Sequence, residues 1–162
     1  MIFVTVGAQM SFDRLIEWVD DWALDHDRSD VLAQVGATQY VPRRLTVIPF
    51  MDPPEFRKRM LESDCVIAHA GMGTILTALE LAKPILVVPR LGSLEETRND
   101  HQVASLERFE KEGLVLGART SEEFETAMVQ LEALREGPKI GAYASASLLT
   151  RVRDFVDSET GT

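Results

Sequence analysis

The run His69-Ala70-Gly71-Met72-Gly73-Thr74 lies between an apolar segment, Asp64 to Ala68, and a helical one, Ile75 to Ala82. A strand that passes through a glycine turn into a helix can hold an anion. The first amides of the helix have no internal partner and sit at the positive end of its dipole. Gly71 and Gly73 would let the main chain approach a diphosphate without a Cβ in the way. Thr74 could cap the helix or donate its hydroxyl to a phosphate oxygen. The dipole contributes only about 0.3–2 kcal/mol, so several hydrogen bonds must act together. The same glycines could also do no more than make a tight turn.

His69 is the candidate for chemistry beside that turn. A histidine at a strand end is commonly a hydrogen-bonded structural residue; next to an anion site its imidazole could face the diphosphate. His26 and His101 are distant in sequence, and no pair has metal-ligand spacing, so no protein-bound metal and no cofactor are expected. Cys65 reads as a small buried apolar residue of a strand rather than a nucleophile. The turn lacks the Gly-Lys-Ser/Thr ending of a nucleotide-hydrolase loop. The first turn, Gly7-Ala8-Gln9-Met10-Ser11, lacks the three-glycine dinucleotide fingerprint, and no acid follows Val35-Gly36, so a nicotinamide cofactor is not expected. A second polar loop, Arg90 to Gln102, follows the most apolar strand. Its amide, carboxylate and imidazole groups suit sugar hydroxyls, or it is simply a solvated helix start.

These segments need a scaffold, and the chain alternates short β-rich runs with helical patterns, as in a parallel sheet wrapped by helices. Strands are predicted at Ile2 to Val6, Val31 to Val35, Leu45 to Ile48, Asp64 to Ala68, Ile85 to Val88 and Leu114 to Leu116. Helices are predicted over Phe12 to Leu24 with Ser11 as cap, from Pro53-Pro54 to Glu62, and over Ile75 to Ala82. Two more are predicted from Asn99 to Lys111, closed by Gly113, and from a capping box at Thr120 to Leu134. A final amphipathic helix is predicted over 142–156, packed on its own sheet or on a partner, followed by a frayed tail, 158–162.

The 162 residues suffice for one domain, placed at 1–157. Hydrophobic residues make up 45% and charged residues 27%, the balance of a globular protein. The net charge of −9 excludes nucleic-acid binding over the whole surface but not a small anionic ligand. No apolar run is long enough to span a bilayer. The amino terminus does not resemble a signal peptide, and a single cysteine fits a cytoplasmic protein.

HAGMGTILTALELAKPILVVPR (His69 to Arg90), RNDHQ (Arg98 to Gln102) and the opening FVTVG (Phe3 to Gly7) with Phe12-Asp13 resemble the C-terminal domain of glycosyltransferase family 28. The resemblance covers roughly Met1 to Gly117. It is similar to the small stand-alone subunits of bacterial exopolysaccharide glycosyltransferases and to the soluble subunit of the dolichol-linked N-acetylglucosaminyltransferase. The resemblance implies a Rossmann-like sheet with helices on both faces, one half of a GT-B glycosyltransferase. It further implies a UDP-sugar donor, and a membrane-anchored partner that binds a lipid-linked saccharide acceptor and recruits this chain to the inner face of the membrane.

By position, the resemblance assigns Gly71, Met72, Gly73 and Thr74 to the diphosphate and Phe50 and Met51 to the border of the uracil. Asn99, Asp100, His101 and Gln102 fall on the segment that contacts the sugar and phosphates, and Gly7 and Gln9 on the cleft floor. Related chains carry a ribose-binding glutamate where this one has Thr77, and Glu80 or Glu96 could substitute. Three functions remain open on these residues: a glycosyltransferase subunit, a nucleotide-sugar-binding module without catalysis, and a structural interaction protein.

Overall fold

In the computed structural model, which describes residues 1–8, 10–98 and 101–141, six parallel strands form one sheet. The elements run β1 (Ile2–Thr5), α1 (Asp13–Asp25), β2 (Val31–Gln34), β3 (Thr46–Ile48), α2 (Pro53–Glu62) and β4 (Cys65–His69). They continue as α3 (Met72–Glu80), β5 (Ile85–Val88), α4 (His101–Lys111), β6 (Leu116–Gly117) and α5 (Ser121–Ala133). The sheet order is β3-β2-β1-β4-β5-β6. The chain therefore starts in the middle, builds outward to β3, then returns to lay β4 against the other side of β1. The order reverses between β1 and β4, where open α/β sheets form a crevice at the carboxyl ends of their strands.

Alternation along each strand divides the core into two layers. Ile2, Val4, Ile67, Leu86 and Val88 face α1 and α5, meeting Leu15, Val19, Phe124 and Leu131. Phe3, Val66, Ala68, Ile85 and Val87 face the opposite layer, meeting Met60 of α2, Ile75 and Leu79 of α3, and Leu106 of α4. Because both faces are covered, the central strands are apolar up to their carboxyl ends, where Thr5, Gln34 and His69 stand. Each fully buried Leu, Ile or Phe side chain contributes roughly 1.5–3 kcal/mol of transfer free energy.

Several boundaries differ from the sequence expectation, for physical reasons. Ser11 does not cap α1; the N-cap position is Phe12, which offers no side-chain acceptor. Its ring is buried, and its carbonyl accepts from the Leu15 and Ile16 amides. Burial of the ring, not a polar cap, sets where that helix begins. α3 starts at Met72 rather than Ile75, which puts Gly71 at the N-cap and Gly73 and Thr74 inside the first turn. The last strand is Leu116–Gly117, shifted from the expected Leu114 to Leu116.

Other signals behave as read. Asp52 accepts from the Glu55 amide ahead of the Pro-Pro start of α2. Thr120 accepts from the Glu123 amide, while the Glu123 carboxylate reaches back to the Arg119 amide at 2.7 Å. Gly113 closes the helix end with φ +68°. No helix among the described residues is long and apolar enough to cross a membrane. The helix expected over 142–156 and the tail 158–162 lie outside the described residues.

Candidate functional site

At the switch point, Gly7 follows β1 by two residues and His69 ends β4, and Gly7 and the turn after β4 hold the His69 imidazole between them. Gly7 has φ +79°, and a Cβ there would stand 2.6 Å from His69 Cε1. Gly71 has an ordinary φ of −86°, but a Cβ there would stand 2.1 Å from His69 Nε2. Glycine is therefore required at 71 to make room for the histidine ring. A Cβ on Gly73 would meet nothing within 4 Å. Of the two turn glycines, Gly73 is the one that leaves the main chain open to a ligand.

The amides of Met72, Gly73 and Thr74 form the first turn of α3, and no side chain among the described residues caps them. Gly73 and Thr74 open on two adjoining hollows. One, of about 440 Å³, is lined by His69, Arg90, Thr97 and Gln102; the other, of about 350 Å³, by Gln34, Met51, Pro53, Phe56 and Thr77. Gly7, Ala8, Gly73 and Thr74 line both, so the helix start stands between a polar lobe and a partly apolar one. Each is within the size range of small-ligand sites.

The chain carries 26 Asp and Glu residues, yet among the described residues none lines either lobe. A larger hollow of about 550 Å³, between Arg28, Asp64, Lys83 and Glu132, lies at the amino end of the sheet, beside Ile2 and Cys65. That is the end away from the crevice. Among the described residues no group of His, Cys, Asp or Glu is placed to hold a metal ion.

Burial and the nearby Arg90 charge lower the His69 pKa to about 4, the Thr5 backbone opposing weakly without reaching hydrogen-bond geometry to Nδ1. The ring is neutral near pH 7 and a poor proton acceptor there, since an effective general base has a pKa near the working pH. The Thr5 hydroxyl supports the β1 turn by accepting from the Gly7 amide at 3.2 Å and donating to Gln34 Oε1 at 2.7 Å. Cys65 is buried, and desolvation raises its thiol to about 11, so it stays an inert thiol.

The structure brings together Gly7, His69, Gly71, Gly73, Thr74 and Gln102 in the polar lobe, and adds Met51 and Thr77 in the other. The Gln102 amide oxygen accepts from the Arg90 main chain at 3.1 Å. Phe50 is 58% exposed and Met72 49%, at positions that line neither lobe. His101 is exposed at the start of α4 and also lines neither.

Two carboxylates named from the sequence stand elsewhere. Glu80 ends α3, about 9 Å along the axis from Thr74, and pairs with Arg57 at 3.5 Å. Glu96 is held by Arg14 through two bonds of 2.7 and 2.8 Å and accepts from the Leu91 amide at 2.9 Å. Neither lines a lobe, and in Glu96 both oxygens are already engaged. Gln9, Asn99 and Asp100 lie outside the described residues.

Sequence reading missed Arg90, Thr97 and the Thr5–Gln34 pair. The one usable signal was an arginine directly after the buried run Ile85 to Pro89, a place where a cation needs a reason.

The human and mouse UDP-N-acetylglucosamine transferase subunit ALG13 are 33% and 31% identical to this chain over 69% and 68% of its length. The chain spans about a tenth of the length of each. A solution structure of ALG13 superposes with a TM-score of 0.60 at 19% identity, covering 93% of each chain. MurG of Acinetobacter baumannii superposes with a TM-score of 0.60 at 20% identity, over 80% of this chain and 40% of that one. At such identities these likenesses concern the fold, which is that of one half of a GT-B enzyme. Residues 1–157 match the glycosyltransferase family 28 C-terminal domain, and the chain belongs to that family.

Proposed function

We propose that this chain is the donor-binding subunit of a two-component glycosyltransferase that takes a UDP-sugar. The observation that carries the reading is the uncapped start of α3, opening at the sheet's switch point on a two-lobed cleft with no carboxylate among its described lining residues. A diphosphate placed at the amides of Met72, Gly73 and Thr74 would receive several hydrogen bonds and the helix dipole together. The lobe of Met51, Pro53 and Phe56 suits a flat base, and the polar lobe of His69, Thr97 and Gln102 suits the sugar side. The mammalian relatives named as UDP-N-acetylglucosamine transferase subunits support the same donor class.

In this scheme the α3 amides stabilise the charge that develops on the departing UDP, which needs no metal. A hexose-type sugar passes to a lipid-linked saccharide in polysaccharide or glycolipid synthesis. The acceptor and the base that deprotonates its hydroxyl come from a membrane-anchored partner. Two features favour that division: no described carboxylate lines the cleft, and His69 is too weak a base.

Calorimetric titration of the purified chain with UDP tests the site, and saturable binding is expected. No heat and no thermal shift would remove every ligand-based reading and leave a structural interaction protein. Catalysis is tested by adding a co-expressed membrane partner, a UDP-sugar and a lipid-linked acceptor. Binding with no product across several donors would favour the second reading, a nucleotide-sugar-binding module. One observation supports that alternative: Thr77 lines the cleft with its hydroxyl turned to the Gly73 carbonyl at 2.8 Å, where the family resemblance implies a ribose-binding acid.

A further inference from the structure

Arg90 is 4% exposed and lines the polar lobe. Its guanidinium donates to four main-chain carbonyls, those of Val6 at 2.8 Å, Met10 at 2.7 Å, Glu96 at 3.3 Å and Ser11. The Phe12 ring lies 4.7 Å beneath it. No carboxylate among the described residues forms an ion pair with it, because Glu96, the acid nearest in the loop, is taken by Arg14. Both Arg90 Nη atoms are engaged, but no described carboxylate pairs with it directly, and the Glu96 charge, held by Arg14, reaches it only through space. A buried cation in that condition carries a desolvation cost. Carbonyl dipoles offset part of it, and a bound anion would offset much of the rest.

We propose that Arg90 is the residue by which the cleft distinguishes a nucleoside diphosphate from an uncharged nucleoside. This rests on the UDP reading above and adds to it. The four carbonyl bonds engage both Nη atoms and fix the guanidinium, so it acts on the phosphates chiefly through its charge. The same bonds tie Val6, Met10 and Ser11 to the loop that carries Arg90 and Glu96, which keeps that charge in the wall of the lobe. Arg90 shares the lobe with Gly73 and Thr74 of the α3 turn, and its burial leaves its field less screened there than it would be in bulk water. The neighbouring neutral imidazole registers the same field.

The experiment compares UDP with uridine on the unmodified chain, Arg90→Met and Arg90→Lys. Arg90→Met is expected to weaken UDP by roughly tenfold to a hundredfold, the scale of one unit charge several ångströms away at an effective dielectric of about 20. Uridine should bind all three chains alike, within about twofold, and Arg90→Lys should keep most of the UDP affinity. Equal losses for UDP and uridine, or a lysine variant as weak as the methionine one, would overturn the proposal. If the variants do not fold, the unmodified chain still decides. Its Arg90 Nε–H resonance should move on adding UDP or pyrophosphate and stay in place on adding uridine. No movement with pyrophosphate, while UDP binds, rejects the role of Arg90 alone. An unmodified chain that binds neither UDP nor uridine rejects the site itself, and Arg90 with it.

Discussion

A methyl group on Gly71 would stand 2.1 Å from His69 Nε2, whereas one on Gly73 would meet nothing within 4 Å. Gly71→Ala must push the imidazole out of its slot, and overpacking of that kind costs about 1–3 kcal/mol. UDP affinity should fall with it, since the ring lines the polar lobe. Gly73→Asp should behave oppositely on stability. A carboxylate in the first turn is favourable to the helix, so unfolding should change by no more than about 0.5 kcal/mol. The same carboxylate stands where a diphosphate would bind, and UDP affinity should drop steeply. Urea unfolding and UDP titration of both variants check this. A Gly73→Asp chain that binds UDP like its parent would remove the α3 turn from the site. The sequence marks both glycines but not the difference between them, because that difference depends on where a histidine two residues earlier turns its ring.

The connection from β2 to β3 shows how one buried acid can stand in for an element. Residues 35–45 contain no helix, and Asp20 of α1 holds them in place. Its fully buried carboxylate accepts from the Arg43 amide at 3.0 Å, the Arg44 amide at 2.8 Å, the Tyr40 hydroxyl at 2.9 Å and Arg43 Nε at 3.1 Å. Burial alone would raise its pKa; the Arg43 and Arg44 amides, then Tyr40 and the Arg43 side chain, outweigh it, and the net shift is downward. The stabilisation is therefore present above the unfolded value of about 3.9 and is lost as pH falls through the lower folded value. Asp20→Asn turns an NH₂ group toward these donors and should cost about 2–4 kcal/mol near neutral pH. That deficit should shrink below pH 4, where the parent loses the same interaction. Unfolding curves at pH 7 and pH 3 decide; an equal deficit at both would mean that packing, not charge, holds the segment. Helical spacing puts Asp20 on the face of Ile16 and Ala23 and leaves Asp21 off it, but the sequence does not show which donors of residues 40–44 meet the buried carboxylate.

Taken as a whole, the molecule would oppose the proposed nucleoside diphosphate at long range and receive it at short range. Alternation of strands and helices was enough to read the parallel sheet, and a reversal at its centre follows from laying two mononucleotide-binding halves side by side. The sorting of charge was not readable, because a net −9 says nothing of where 26 carboxylates stand. In the structure they leave the described walls of the cleft to the α3 amides, His69 and Arg90. A UDP anion approaching from afar meets the net charge first, and the local donors only within a few ångströms. The Debye length shortens from about 30 Å at 0.01 M salt to about 8 Å at 0.15 M. Salt over that range should therefore screen the distant repulsion more than the contacts inside the cleft. The association rate of UDP, followed by stopped flow, should rise by roughly twofold or threefold, against the usual trend for a charged ligand entering an attracting site. Uridine, which feels neither field, should associate at a constant rate. A UDP rate that falls with salt would show the positive potential of the cleft reaching beyond the acidic surface, so that local sorting rather than net charge governs the approach.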